Sequence, residues 1–214
     1  AWLQDLFQQK KPYNELVHAL LSADGTDEKQ RAASAFFLER DVEPNLLTRE
    51  IGRIFLGIDL QCAQCHDHPL IDDYHQTDYF GTFSFVNQLT LFRPDAKKPA
   101  LIGETVRGQA AFKSVFTDRE AVTSPRLPGE VEISEPVFAI GDEYSIRPAK
   151  NVRSVPKFSR QNKLAELISS GQNPLFRRNI ANRLWAMMLG RGLVHPVDQH
   201  HSENPATNPE LLDL

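Results

Sequence analysis

Cysteine, long apolar runs and basic runs are all scarce in this sequence. Only 2 of the 214 residues are cysteine, too few for the disulfide network that stabilises many small secreted domains. No run of about 18 consecutive apolar residues occurs, so nothing in the sequence predicts a membrane span. The formal net charge is −4, and without a basic run this argues against a dedicated nucleic-acid binder.

The remaining composition is that of a folded protein. Apolar residues make up 41% of the chain, with 13 phenylalanines as bulky core material. The length is enough for one domain or for two closely packed halves. No signal peptide is visible, and Trp2-Leu3 already resembles the inside of a helix. Because the C-terminus stops equally abruptly at Leu211-Leu212, we expect the chain to be a piece of a longer polypeptide.

The two cysteines form a single motif, Cys62-Ala63-Gln64-Cys65-His66. This C-x-x-C-H pattern is typical of covalent haem attachment, in which two thiols add to the vinyl groups of the haem. The histidine that follows then binds the iron from one side. The sequence therefore predicts one covalent haem (heme c), attached through Cys62 and Cys65, with His66 as the proximal ligand.

Three other interpretations of the motif remain open. A structural zinc site could use both cysteines with His66 and His68, although such sites usually take their second ligand pair from further along the chain. A redox-active dithiol would need a βαβ setting, whereas the flanking sequence is helical and turn-like. The cysteines could also be small core residues.

The sequence offers few candidates for the opposite side of the iron. His68 is too close to His66 to pass round the ring, so we expect it to support the site, by hydrogen bonding a propionate or a nearby backbone group, or to lie exposed at the haem edge. His75 lies nine residues after His66, far enough to cross over if the loop folds across the ring. Met187 and Met188, on the helix that carries Trp185, are the other candidates. An open site or bound water is the alternative to all of them.

The spacing of apolar residues predicts a mainly α fold: a helical haem-binding core with a proline-rich, short-stranded β/loop insertion. We divide the chain into a helical segment with the motif (1–92), the insertion (93–157) and a second helical segment (158–214). In the first segment, helices are predicted over residues 2–9, between Pro12 and Gly25, and from Pro44 to Ile58. A further helix between the last two is expected to begin at the capping pair Asp27/Gln30. An apolar, aromatic stretch from Tyr79 to Leu91 predicts a buried helix.

The insertion contains seven prolines, which exclude long helices. Two short alternating runs, Val131–Ile133 and Val137–Ala139, are candidate strands separated by Pro136.

In the last segment, Leu164, Leu167 and Ile168 predict a helix that ends at Gly171. Asn173-Pro174 is a strong start signal for the next helix, and Gly190 is expected to end it.

The loop after Gly190 is rich in polar and ionisable side chains. It could form a metal site, but we favour a polar surface loop, since nothing in the sequence fixes the geometry of these residues. The residues concerned are His195, Asp198, His200, His201 and Glu203.

Two stretches of the chain resemble a pair of planctomycete domains of unknown function. The first runs from Phe55 through the C-x-x-C-H motif to Gly81. The second runs from Pro156 through Asn173-Pro174 and Asn179–Trp185 to Leu212. The resemblance implies a large, secreted or periplasmic bacterial protein, often fused to a cytochrome c module and sometimes to carbohydrate-binding modules, with no settled activity. It also implies that a histidine is common at the place of Met187.

Three functions follow from these observations. The first is an extracytoplasmic electron-transfer module of a larger protein, with a redox partner protein or a neighbouring cytochrome domain. The second is a peroxidase-like haem oxidoreductase with an open sixth position on the iron. The third is a non-catalytic scaffold, stabilised by zinc or haem, that holds a carbohydrate-related partner.

Overall fold

The computed structural model describes residues 2–95 and 97–213, and this part of the chain is mainly α-helical. The helices are α1 (Trp2–Gln8), α2 (Tyr13–Ser22), α3 (Ala35–Leu38), α4 (Pro44–Ile51), α5 (Gln76–Val86), α6 (Arg160–Ser169), α7 (Pro174–Leu189) and α8 (Pro209–Leu212). The strands are β1 (Leu89–Phe92), β2 (Leu101–Glu104), β3 (Ala110–Lys113), β4 (Glu120–Thr123), β5 (Tyr144–Ile146) and β6 (Val155–Pro156).

The helix before the motif changes its winding. α4 begins at Pro44, where the Glu43 side chain accepts hydrogen bonds from two backbone N–H groups, and it continues as a π-helical turn over residues Gly52–Leu56. The turn ends at Gly57 in the left-handed conformation. Ile58, expected on the same helical face, instead forms an isolated β-bridge with Gln199. The chain therefore leaves the helix before Ile58 and meets the C-terminal segment there.

The third predicted helix is shorter and starts later than the sequence indicated. The Asp27 carboxylate accepts a hydrogen bond from the backbone N–H of Lys29 and forms a local turn. A 3₁₀ turn follows over Arg31–Ser34 before α3 begins. The expected capping pair is therefore wrong, because Asp27 closes its own turn and no side-chain capping bond is made by Gln30.

Among the described residues, the insertion contains the strands β2 to β6, and β1 lies just before it. They form three two-stranded antiparallel sheets, β1–β2, β3–β4 and β5–β6. Leu89, expected at the end of a helix, instead pairs in β1 with Glu104. The candidate strands Val131–Ile133 and Val137–Ala139 are wrong, since both stretches are irregular. Val131 and Val137 are 84% and 98% exposed, so their alternating apolar pattern has no sheet to bury it.

The second helical segment packs on the first rather than standing apart. α6 lies against α2, and the core is shared by Leu21 of the first segment and Leu164 and Ile168 of the second. At the start of α6 the buried Glu104 accepts hydrogen bonds from the backbone N–H groups of Arg160 and Gln161. Burial raises the pKa of this carboxyl group.

α7 has the ends that its sequence predicts. The Asn173 side chain accepts a hydrogen bond from the N–H of Phe176, Pro174 occupies the first turn, and Gly190 ends the helix in the left-handed conformation. The Asn179 side chain donates to the carbonyl of Ile54 at 2.7 Å. This bond fixes α7 against the π turn that precedes the motif.

Candidate functional site

The cysteine motif begins with a 3₁₀ turn, Cys62–Gln64, for which Cys65 is the C-cap residue. The backbone N–H groups of Cys65 and His66 both donate to the carbonyl of Cys62, at 3.2 and 3.4 Å. Both thiols are free and exposed. The turn therefore presents two reactive sulfurs and the following imidazole from one compact piece of backbone.

The His66 ring is held by its own chain. Its Nδ1 lies 2.6 Å from the carbonyl oxygen of Asp67. A carbonyl can only accept, so Nδ1 must carry the proton and donate it. In that tautomer the Nε2 atom has the lone pair that binds a metal, and a backbone carbonyl is the usual partner of a metal-binding histidine.

A buried glutamine joins the motif to the start of α5. The Asp67 carboxylate accepts the backbone N–H of Gln76 at 2.7 Å, while the Gln76 amide donates to the carbonyls of Gln64 and Lys113 at 3.4 and 3.1 Å. One side chain thus connects the cysteine turn, the helix α5 and the strand β3. From the sequence, Asp67 belongs to an acidic turn that could either be a solvated loop or support His66. The role of Gln76 could not be predicted, because Lys113 lies far along the chain.

The tip of the β3–β4 hairpin lies beside the motif. The N–H of Val115 donates to the carbonyl of Cys65 at 3.0 Å. The Phe116 ring lies 4.5 Å from the His66 ring, centroid to centroid, and is itself 74% exposed. An accessible aromatic surface therefore adjoins the imidazole. Sequence reasoning missed this surface because about fifty residues separate the two segments.

His66 and His75 line the same cleft. Its volume is about 520 Å³, and Phe112, Phe116 and Arg119 contribute apolar surface and one positive charge. This volume lies within the roughly 300–1,000 Å³ of pockets that hold cofactors and other small ligands. His75 is exposed and precedes α5, and its side chain makes no capping hydrogen bond. Its imidazole is therefore not committed to the helix end.

His68 and Met187 occupy different positions. The Nδ1 of His68 accepts the backbone N–H groups of Leu70 and Ile71, at 3.2 and 3.0 Å, so it closes the turn after the motif. Met187 is 79% exposed on the last turn of α7. It is not among the residues that line the cleft. The structure thus brings His75, and not Met187, to the cleft of His66.

The C-terminal loop is a polar surface loop only in part. His195 and Glu203 are exposed, but His200 is 8% exposed, and its backbone N–H donates to the carbonyl of Gly57 at 3.0 Å. Burial lowers the pKa of His200 to about 4. Gly57 is needed here, because a Cβ at this position would lie 2.8 Å from the His200 ring. Packing against the first segment therefore determines the loop's geometry.

The residues present are compatible with a covalent haem. Two exposed thiols and an imidazole whose Nε2 can bind a metal are the groups through which a protein holds haem c. The adjoining cleft is lined by His66 and His75 but by neither cysteine. Across residues 2–95 and 97–213, no three His, Cys, Asp or Glu side chains come together as a group that could hold a metal ion. The geometry therefore gives no support to a zinc site built from Cys62, Cys65, His66 and His68.

Comparison with known proteins confirms the suspected resemblance. Residues 1–90 match the PSCyt2 family model, described as a protein of unknown function (DUF1549). Residues 160–214 match the PSD1 model, also described as a protein of unknown function (DUF1553). No curated protein and no solved structure matches the chain. In the part of the chain that the structure describes, no helix has the length and apolar character needed to cross a bilayer.

Proposed function

We propose that this chain is the haem-bearing electron-transfer module of a larger protein. Residues 1–90 and 160–214 match the paired planctomycete domain families PSCyt2 and PSD1. The family names associate the chain with cytochromes and leave its activity open. The haem, its ligands and its role are our inference. Covalent attachment of haem c takes place outside the cytoplasm, so we further propose a periplasmic or secreted location.

The orientation of His66 is the observation that carries this proposal. An imidazole that donates its Nδ1 proton to a backbone carbonyl is oriented before any metal arrives, and its Nε2 is the basic atom. Cys62 and Cys65 lie on the turn immediately before it and are both accessible. A bound haem would supply a one-electron iron couple. The role of the chain is to hold the macrocycle, keep the imidazole in place and cover part of the haem with Phe116.

Of the residues named from the sequence, His75 is the one that would hold the iron together with His66. It lines the cleft together with His66. One hydrogen bond, from the Gln76 N–H to the Asp67 carboxylate, joins the two residues that follow His66 and His75 in the chain. Two strong axial ligands also favour electron transfer over catalysis, which requires an open position. Arg119, on the same cleft, is suited to bind a haem propionate.

The first test asks whether haem is bound covalently. The protein is produced in a host that attaches haem c, denatured in acid and run on a gel, and the haem must remain on the polypeptide. Cys62→Ala and Cys65→Ala should each weaken the attachment. Haem that extracts completely from the parent, or stoichiometric zinc in its place, would contradict the proposal.

The second test identifies the axial ligands by absorption and electron paramagnetic resonance. His66→Ala should alter the spectrum most. His75→Ala should convert a low-spin iron to high spin, whereas Met187→Ala, at an exposed site outside the cleft, should leave the spectrum unchanged. A parent iron that is already high spin and is unaffected by His75→Ala would instead support the peroxidase-like alternative with an open sixth position.

A further inference from the structure

One face of α7 is apolar and exposed. Leu184, Met187 and Met188 are 50%, 79% and 73% exposed. Because residues three and four apart share a side of a helix, these residues form one stripe with Ile180 and Ala181 on the preceding turn. Ala181 is exposed and Ile180 is partly exposed. We call these five residues the α7 stripe, and contiguous apolar residues of this kind on a surface are typical of a site that contacts another molecule.

The opposite face of α7 is polar and holds the helix to the rest of the chain. Asn179 and Asn182 are 1% and 0% exposed. The Asn182 side chain donates to the carbonyl of Val194 and accepts its N–H, both at 2.9 Å, and the Asn179 side chain donates to the carbonyl of Ile54. From Asn179 onward, the usual arrangement, in which a helix buries its apolar face, is therefore inverted. Hydrogen bonds anchor the helix, and its apolar face remains open to a partner.

The sequence around the stripe is basic, although the whole chain has a formal net charge of −4. Residues 167–197 include four arginines and no aspartate or glutamate. Two of these arginines form hydrogen bonds within the chain. The other two, Arg177 and Arg191, lie near the two ends of α7 and are exposed. Neither of them takes part in an ion pair with any residue that the structure describes.

These two charges decide which partner fits the stripe. If a second copy docked there, antiparallel helices would place Arg177 beside Arg191 of the other copy, and parallel helices would place each arginine beside its equivalent. Like charges would repel in both arrangements. An anionic bilayer would meet a chain of net charge −4 with only these two unpaired arginines near the stripe. A protein partner with carboxylates at the matching positions gains two ion pairs instead.

We propose that the α7 stripe docks an amphipathic helix of a partner protein, with apolar side chains against Leu184, Met187 and Met188 and carboxylates beside Arg177 and Arg191. A helix is the complementary shape, because residues four apart on the stripe form a ridge that fits between the side chains of a facing helix. The unbranched methionine side chains adapt to the surface of the partner. The stripe uses no residue of the proposed haem site, so this inference goes beyond that function and is tested separately.

The test uses two synthetic helical peptides of about 20 residues, each labelled and titrated with the whole chain while its fluorescence anisotropy is measured. Both peptides have leucines three and four residues apart on one face. The acidic probe has glutamates beside that face, and the basic probe has lysines there. The acidic probe should bind at least about fivefold more tightly than the basic probe at low ionic strength. Equal affinity for the two probes, tighter binding of the basic probe, or no binding of the acidic probe would each overturn the proposal.

Two double variants then assign the binding to the stripe. Leu184→Gln with Met188→Gln should weaken binding of the acidic probe at least about tenfold, and α7 should persist because glutamine is a good helix former. Arg177→Glu with Arg191→Glu should reverse the preference between the probes. Val137→Gln, at another apolar position that is 98% exposed, is the matched control and should change neither affinity. Unchanged binding of the acidic probe in the glutamine double variant would overturn the assignment.

Two further measurements test the other occupants of the stripe. In analytical ultracentrifugation, the parent and the variant with Leu184→Gln and Met188→Gln should have the same oligomeric state. In sedimentation with phosphatidylglycerol vesicles, the two proteins should also behave alike. A dimer that this variant dissociates, or vesicle binding that it abolishes, would show that a second copy or a membrane covers the stripe, and either result would overturn the proposal.

Discussion

At the scale of single residues, Arg160 holds three parts of the chain together. Its guanidinium donates two hydrogen bonds to Glu135, at 2.6 and 2.7 Å, and three more to the backbone carbonyls of Ser84, Arg107 and Gly108. The residue is 4% exposed. A buried cation is tolerated only when it is paired and hydrogen-bonded in this way.

Removing this side chain should be costly. Arg160→Ala leaves Glu135 unpaired and three backbone carbonyls without their hydrogen-bond donor. We therefore expect the free energy of unfolding to fall by about 3 kcal/mol or more. Urea unfolding measures the loss. Arg107→Ala removes an exposed side chain but keeps the backbone carbonyl. The free energy of unfolding of this control should stay within about 0.5 kcal/mol of the parent's. A loss below about 1 kcal/mol in Arg160→Ala would show that water replaces these bonds.

His200 should make stability depend on pH. Its pKa is lowered from 6.5 to about 4, so the unfolded chain takes up the proton before the folded one does. The contribution of His200 to the free energy of unfolding is complete above pH 6.5 and is lost as the pH falls towards 4. Between pH 7 and pH 5 the loss is about 2 kcal/mol.

The measurement is urea unfolding of the parent and of His200→Gln at pH 7 and pH 5. The variant should lose less stability than the parent on acidification, because it lacks the buried imidazole. His18→Gln, at an exposed position on α2, should retain the parent's pH dependence. Equal losses in the parent and His200→Gln would contradict the assignment.

At the scale of elements, the N-terminus of α5 is capped by Asp67, a residue that precedes the helix and belongs to the turn after the cysteine motif. His75, at the N-cap position, provides no side-chain bond, and Asp67 accepts the N–H of Gln76 instead. A carboxylate near the N-terminus of a helix also interacts favourably with the helix dipole. The cap therefore stabilises the helix and fixes the cysteine motif relative to it.

Asp67→Ala should lower the free energy of unfolding by about 1 kcal/mol, the usual cost of a lost cap. Asp67→Asn keeps an acceptor oxygen and should restore most of that loss. Thermal unfolding of both variants gives the comparison, with the exposed Asp72→Ala as control. If Asp67→Ala and Asp72→Ala behave alike, the hydrogen bond to Gln76 contributes nothing to stability.

At the scale of the whole molecule, the two family segments share one core. α6 covers α2, whose Val17 and Leu21 are completely buried. Between the segments, Arg53 pairs with Asp198, and Asn179 binds the π turn. The insertion is connected to this shared core through the hydrogen bonds of Arg160.

The chain should accordingly unfold in one cooperative transition. Calorimetric and van't Hoff enthalpies should agree within about 10%. A chain that ends at residue 157 uncovers the α6-facing side of α2 and should lose its near-ultraviolet circular dichroism. Two separate transitions, or a truncated chain that melts cooperatively, would show that the segments fold independently.

Features that depend on residues adjacent in the chain could be predicted from the sequence alone. The C-x-x-C-H motif places two thiols and an imidazole on one turn wherever that turn lies. The bounds of α7 follow from Asn173-Pro174 and Gly190, because caps act over one helical turn. The proline-rich insertion was identified correctly as short-stranded, although its strands lie at other positions than Val131–Ile133 and Val137–Ala139.

The contacts of the motif and the burial of the C-terminal loop follow instead from how the elements pack. His75 and Phe116 reach the cleft of His66 through α5 and the β3–β4 hairpin, and His200 is buried because the C-terminal loop crosses Gly57. The alternating pattern around Val131 could not be distinguished from that of a strand, since pairing requires a partner that the pattern does not specify. Contacts between residues far apart in sequence depend on how whole elements pack, and no local pattern encodes that packing.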